Sequence, residues 1–175
     1  MAENGDTSIS AGSSGAGSSP RADLAASAGA WDGRVDFYIL DDASSSARLK
    51  LACKLAEKAY VAAQTVLVWH TDPAELKVFD EMLWTFHDGS FVPHEILADG
   101  AVAAAPVLLS AGGRLSANVD IVINLAPDLP PCLAQTRRIA EIIDGDDTRR
   151  RAGRARFKAY RELGVQPASH NIRAE

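Results

Sequence analysis

The side chains of this chain that could bind a metal or move a proton are scattered. The four histidines, His70, His87, His94 and His170, never fall four residues apart, the helical spacing that aims two imidazoles at one zinc ion. Cys53 and Cys132 lie far apart in apolar stretches, which makes neither a disulfide framework nor a paired ligand motif and suits a reducing cytosol. Asp41 and Asp42 close an apolar run, where a Mg2+ ion or a ribose hydroxyl could be held; acids in that place also serve as turn residues. Gly12, Gly15 and Gly17 follow no strand-like run and precede no Lys-Ser or Lys-Thr pair, so they do not make a phosphate loop. The residues therefore point to no catalytic group, no metal, no cofactor and no small-molecule substrate.

Two other groupings suit binding to a macromolecule. On a helix expected from Pro73 to Phe86, the residues Leu76, Phe79, Leu83 and Phe86 form the core stripe, and Trp84 falls well off it at about 100° per residue. Phe91 follows in the Pro-restricted stretch Ser90-Phe91-Val92-Pro93-His94, close enough to stand beside Trp84. A small second core under this loop and an exposed partner surface both fit that spacing. The second grouping is on a helix expected from Asp147 to Leu163. There Ala152, Ala155, Ala159 and Leu163 form a small apolar stripe suited to lying on a sheet, and Arg150, Arg151, Arg154, Phe157, Lys158 and Arg161 gather on the other side. A cationic face with one ring suits phosphate backbone, and equally an acidic peptide ending in a carboxylate; the pattern alone does not choose.

The elements that must position these residues read as α/β. Val35–Leu40 and Thr65–Trp69 are short apolar runs expected to be buried strands. Between them Leu49, Ala52, Cys53, Ala56, Tyr60 and Ala63 recur at helical spacing, which makes a parallel βαβ unit the natural arrangement. Asp72-Pro73-Ala74-Glu75 is a helix start. Pro106–Ser110 and Asp120–Leu125 are further strand candidates around a Gly112-Gly113 turn, and Ile139–Ile143 is a fifth for which helix is the rival. Residues 1–32, rich in Ala, Gly and Ser, are expected to be a disordered leader, 33–170 one domain, and 171–175 a flexible end. The length of 175 residues allows one core. With 47% hydrophobic and 23% charged residues and no apolar run of about 20 residues, no membrane contact is expected. The net charge of -5 argues against a surface built throughout for nucleic acid, so any anionic partner must meet a local patch.

The segments FYIL, VLVWHTD, FDEMLWTF, GSFVPHE, IVINL, RIAEIID and RARFKAYRELG, in this order between Val35 and Gly164, resemble the chi subunits of bacterial DNA polymerase III. The most specific parts are the blocks containing Trp84 to His94 and Arg154 to Arg161. The resemblance implies a Rossmann-like α/β fold, a mostly parallel sheet flanked by helices, without a working nucleotide site. It implies a non-catalytic, cytoplasmic clamp-loader subunit that contacts DNA only indirectly. One surface would bind the psi subunit, at Trp84 and Phe91 with the adjoining Val92 and Pro93. Another would bind the acidic, aromatic-containing C-terminal tail of single-stranded DNA-binding protein, at Arg154, Phe157 and Lys158 with the neighbouring Arg150 and Arg161. Phe157 stands where a Tyr is also familiar, which keeps the ring and removes a hydroxyl. The leader lies outside the resemblance. The alternatives are a nucleotide-dependent enzyme using Asp41 and Asp42, and a module that binds single-stranded DNA directly through the basic helix.

Overall fold

Runs such as Val66-Leu67-Val68-Trp69 become strands because they are too short to hold a helix and their apolar residues are continuous, which both faces of a covered parallel sheet require. A computed structural model describes residues 31–89, 91–98, 101–112, 118–131 and 133–173. In chain order the elements are β1 (Arg34–Leu40), α1 (Ser45–Val61), β2 (Val66–Trp69), α2 (Pro73–Thr85), β3 (His94–Ile96), β4 (Val107–Ser110), β5 (Val119–Asn124), β6 (Thr136–Ile143), α3 (Asp147–Glu162) and β7 (Ala168–Ile172). The strands form one seven-stranded sheet in the order β3-β4-β2-β5-β6-β1-β7. Every ladder is parallel. The chain thus has the expected α/β architecture.

Right-handed crossovers decide which face each helix covers. From β1 the chain moves toward the β3 edge, so α1 and α2 lie on one face, where Ala52, Cys53, Ala56, Leu76, Phe79 and Leu83 pack with Val66, Val68, Leu109, Ile123 and Ile142. From β6 the chain moves the other way, so α3 lies on the opposite face, where Tyr160 packs with Val35, Phe37, Val122 and Ile139. Each fully buried Val, Leu, Ile or Phe among these contributes about 1.5–3 kcal/mol.

The helix starts follow from their capping residues. Ser44 caps α1 by accepting the Ala47 N–H, and Asp72 caps α2 by accepting the Ala74 N–H at 2.8 Å with Pro73 behind it. Asp146 caps α3 by accepting from Thr148 and Arg149. Its own pKa lies below the ordinary aspartate value, chiefly through the Arg149 N–H bond.

Residues 139–143 are the expected strand and not its helical rival: β6 begins at Thr136 and is paired on both sides, by β5 and β1. Other expectations need correction. Two strands were not foreseen. β3 has three residues and β7 reads Ala-Ser-His-Asn-Ile; neither carries an apolar run, and pairing with β4 and β1 makes each a strand. β7 continues through Ile172, opposite Leu40, into the end expected to be flexible. Ala63 lies beyond α1, exposed and with φ of 56°. Trp31, placed in the leader, donates its indole N–H to the Thr136 carbonyl. Cys132, Gly113, Ser90 and residues 1–30 lie outside the described residues.

Candidate functional site

The last helix is turned from the orientation its alanines suggested. Its buried residues are Gly153, Arg156 and Tyr160, while Ala155 is exposed. The cause lies beneath it on β6. Glu141, which no solvent reaches, accepts from Arg156 Nε at 2.8 Å, from the Tyr160 hydroxyl at 2.8 Å and from Asn124 Nδ2 at 2.9 Å. Arg156 also donates to the Pro127 carbonyl at 2.8 Å. A buried carboxylate with three donors overrides an alanine stripe, because leaving it unpaired would cost several kcal/mol. Gly153 allows the close approach: a Cβ there would lie 2.2 Å from Ile143 Cδ1. Sequence reasoning missed Glu141, Arg156 and Tyr160, although a glutamate inside the run Ile139–Ile143 was a signal that a donor must face it.

The turn brings Phe157 from the middle of the expected exposed face to the seam between helix and sheet. It is half-buried, edge-on to Phe37 with ring centroids 5.1 Å apart. Beside it opens an apolar cleft of about 270 Å³, with Phe37, Ile39 and Ile143 from the sheet, Gly153 and Phe157 from α3, and Ser169 from β7. Arg150 and Arg154 complete the lining. Arg154 is exposed and makes no hydrogen bond or ion pair with the described residues. Arg150 donates weakly to the Asp144 carbonyl at 3.3 Å. Lys158 lies 3.8 Å from Glu162, and it does not line the cleft. Arg161 is exposed one turn beyond Phe157 and likewise stays outside the lining.

A second surface lies on the other face, at the end of α2. Trp84 is 52% exposed and Phe91 61% exposed, and their ring centroids are 5.3 Å apart. The expected neighbours divide: Val92 is buried in the main core and Pro93 is half-buried, so Val92 anchors the loop rather than presenting a surface. His94 was not foreseen here. Its buried imidazole stands 4.6 Å from the Trp84 ring, with Nδ1 2.7 Å from the Val92 carbonyl and Nε2 3.2 Å from Asp80 Oδ1. The second contact is close but not aligned as a hydrogen bond. The imidazole joins loop to helix and props the Trp84 ring, against which Phe91 in turn packs.

In open parallel sheets a nucleotide sits beyond the carboxyl ends of strands whose connections leave in opposite directions. Here those strands are β1 and β6, and the chain itself fills the place. The Gly145 N–H donates to the Asp42 carbonyl at 2.8 Å, and a Cβ on Gly145 would lie 2.8 Å from the Ala43 nitrogen. Asp42 accepts from the Ser44 N–H, and both Asp41 and Asp42 are exposed turn residues. Beneath them the buried Asp144 is held by Arg149 at 2.8 Å and faces Arg48 at 3.9 Å. Burial pulls the Arg48 guanidinium below its usual range, and the charge of Arg149 adds to this while Asp144 opposes it. His70 accepts the Asp72 N–H through Nδ1; burial and then Arg48 lower its pKa. His87 stands 3.7 Å from Glu57, and His170 of β7 lies 3.1 Å from Asp36 of β1. Among the described residues no three His, Cys, Asp or Glu side chains gather to hold a metal ion.

Residues 33–168, the whole of the sheet except β7 beyond its first residue, match the family described as DNA polymerase III chi subunit, HolC. The chain belongs to the DNA polymerase III chi subunit family. It is similar to the DNA polymerase III subunit chi of Pseudomonas aeruginosa, with 36% identity over 139 residues, 79% of this chain and 96% of that one. It is similar also to subunit chi of Escherichia coli, with 29% identity over 133 residues, 73% of this chain and 90% of the relative. The Haemophilus influenzae subunit chi is 27% identical over 139 residues, 79% and 96% of the two chains. The family match covers the Trp84 surface and all of the cleft lining except Ser169. No helix among the described residues is long and apolar enough to cross a membrane.

Proposed function

We propose that this chi-family chain is a non-catalytic, cytoplasmic adaptor of the clamp-loader complex. It would bind psi through Trp84 and Phe91, and the acidic C-terminal tail of single-stranded DNA-binding protein through the cleft beside Phe157. The observation that carries the reading is the cleft: an apolar floor of Phe37, Ile39 and Ile143 with Arg154, unpaired among the described residues, at its edge. An apolar terminal side chain fits the floor, and a terminal carboxylate fits the guanidinium, which binds such groups in a planar two-pronged geometry. Arg150 supplies a second cation, and Arg161 and Lys158 add field without contact. Phe157 packs against Phe37 without a hydroxyl, so the ring contributes apolar surface alone. DNA is reached only through the tail-bearing protein, and many tails on one coated strand raise retention by local concentration.

Titration of a fluorescent acidic peptide with a free C-terminus tests this. Arg154→Ala is expected to weaken binding by about tenfold or more and to leave psi binding unchanged. Trp84→Ala is expected to do the reverse. Binding should weaken as salt rises. Equal damage to both partners from either change contradicts the division into two surfaces. Nucleotide with Mg2+, tested by calorimetry, should give no heat, and an oligonucleotide that bound as tightly as the peptide would favour the direct DNA-binding reading instead.

A further inference from the structure

β7 is the outermost strand on the α3 side of the sheet. It pairs with β1 along its inner side, and among the described residues no strand lies on its outer side. Sheet edges are normally guarded by charge, proline or shortness, since an open row of N–H and C=O groups invites another strand. The opposite edge follows this rule: β3 has three residues, follows Pro93 and carries Glu95. β7 does not. Its five residues, Ala168-Ser169-His170-Asn171-Ile172, include no Lys, Asp, Glu or Pro, and the first four are exposed.

The register ties this edge to the cleft. Ser169 stands opposite Phe37 and Asn171 opposite Ile39, so both small polar side chains share the face on which Phe37 and Ile39 form the cleft floor. Ser169 is itself part of the lining. A chain laid along the outer side of β7, about 4.8 Å away, would project alternate side chains over Ser169 and Asn171 toward Phe157. The charged residues lining the cleft have one sign, Arg150 and Arg154 with no carboxylate among the lining, and Arg173 follows β7.

We propose that the acidic tail adds to the sheet as an eighth strand along β7, with its main chain paired to that edge and its apolar end and carboxylate in the cleft. The proposal rests on the tail-binding reading above and adds the conformation in which the tail is held. Main-chain pairing supplies affinity without sequence demands, and the cleft supplies the choice of terminal residue.

The test uses the full chain and a synthetic peptide of about eight residues, rich in aspartate and ending in a free-carboxylate phenylalanine. Exchange of the alternate amides among Ser169 to Ile172 that face away from β1 is expected to slow by about tenfold or more when the peptide is saturating. Two further peptides, N-methylated at alternate amides in opposite phases, are expected to separate: one phase loses about tenfold or more in affinity and the other little. These changes lie in the peptide, so folding of the protein is not in question. Arg154-dependent binding with unchanged β7 exchange and equal tolerance of both methylation patterns overturns the strand and leaves the cleft reading standing. Absence of any peptide binding removes both. Protection of β7 that grows with protein concentration without peptide assigns the edge to a second copy of this chain and also overturns the proposal.

Discussion

Arg156 Nε and Glu141 Oε2 meet at 2.8 Å under α3, both buried, and this pair sets how the helix lies on the sheet. Taking away one partner leaves a buried charge that water cannot reach. Arg156→Ala is therefore expected to lower the unfolding free energy by about 3–5 kcal/mol in a urea titration. The double change Glu141→Leu with Arg156→Met should cost less than the sum of the single changes, because it strands no charge. A loss below about 1 kcal/mol for Arg156→Ala would mean that the carboxylate finds other donors or water.

Cys53 is expected to be inert. Burial under α1, helped by the charge of Glu57, pushes its thiol up to about 12. Only a thiolate attacks a disulfide reagent. In a Cys132→Ser background, labelling by an aromatic disulfide at about pH 8 should proceed only as fast as the protein opens, and denaturant should accelerate it. Immediate labelling of the native chain contradicts the packing described.

Acid should destabilise the β1–β7 edge early. Burial works to raise the pKa of Asp36, but hydrogen bonds from His170 and Arg138 and the charges of Arg138 and Arg34 outweigh it and hold the carboxyl below its ordinary value. A lowered folded pKa means stability that is complete above the unfolded aspartate value, about 3.9, and lost as pH falls through the folded value. Denaturation curves taken from about pH 5 downward should fall less steeply for Asp36→Asn than for the parent. Equal slopes would show that Asp36 binds protons alike in both states.

His94→Ala is expected to damage the Trp84 surface although its side chain is buried. The imidazole spans the Val92 carbonyl and Asp80 and supports the Trp84 ring at 4.6 Å. Its loss leaves the carbonyl without that partner, a cost of about 1–3 kcal/mol, and frees the loop bearing Phe91. Tryptophan emission should change, and psi affinity should drop with tail-peptide affinity intact. Unchanged affinity for psi would reduce His94 to a packing residue.

The strands that could be read from the sequence are those with apolar runs, β1, β2, β4, β5 and, with helix as its rival, β6, because a covered parallel sheet demands that pattern locally. β3 and β7 were hidden because they lie at edges, where the partner strand and not composition makes the strand. α2 was legible down to the exposure of Trp84, since Leu76, Phe79 and Leu83 obey one spacing. α3 was legible as a helix but not in its rotation. Counting apolar residues could not show that an arginine and a tyrosine faced inward, because their reason, Glu141, lies outside the helix. The same rotation made Phe157 a wall of the cleft instead of a ring among cations.

The strand order carries a mechanical consequence. The Trp84 loop leads into β3 at one border of the sheet, and the Phe157 cleft lies over β1 and β7 at the other, roughly 30 Å away across the intervening strands. If the two proposed partners grip those places at once, tension would run across the strands, along the interstrand hydrogen bonds, and so would load the ladders in series from one border of the sheet to the other.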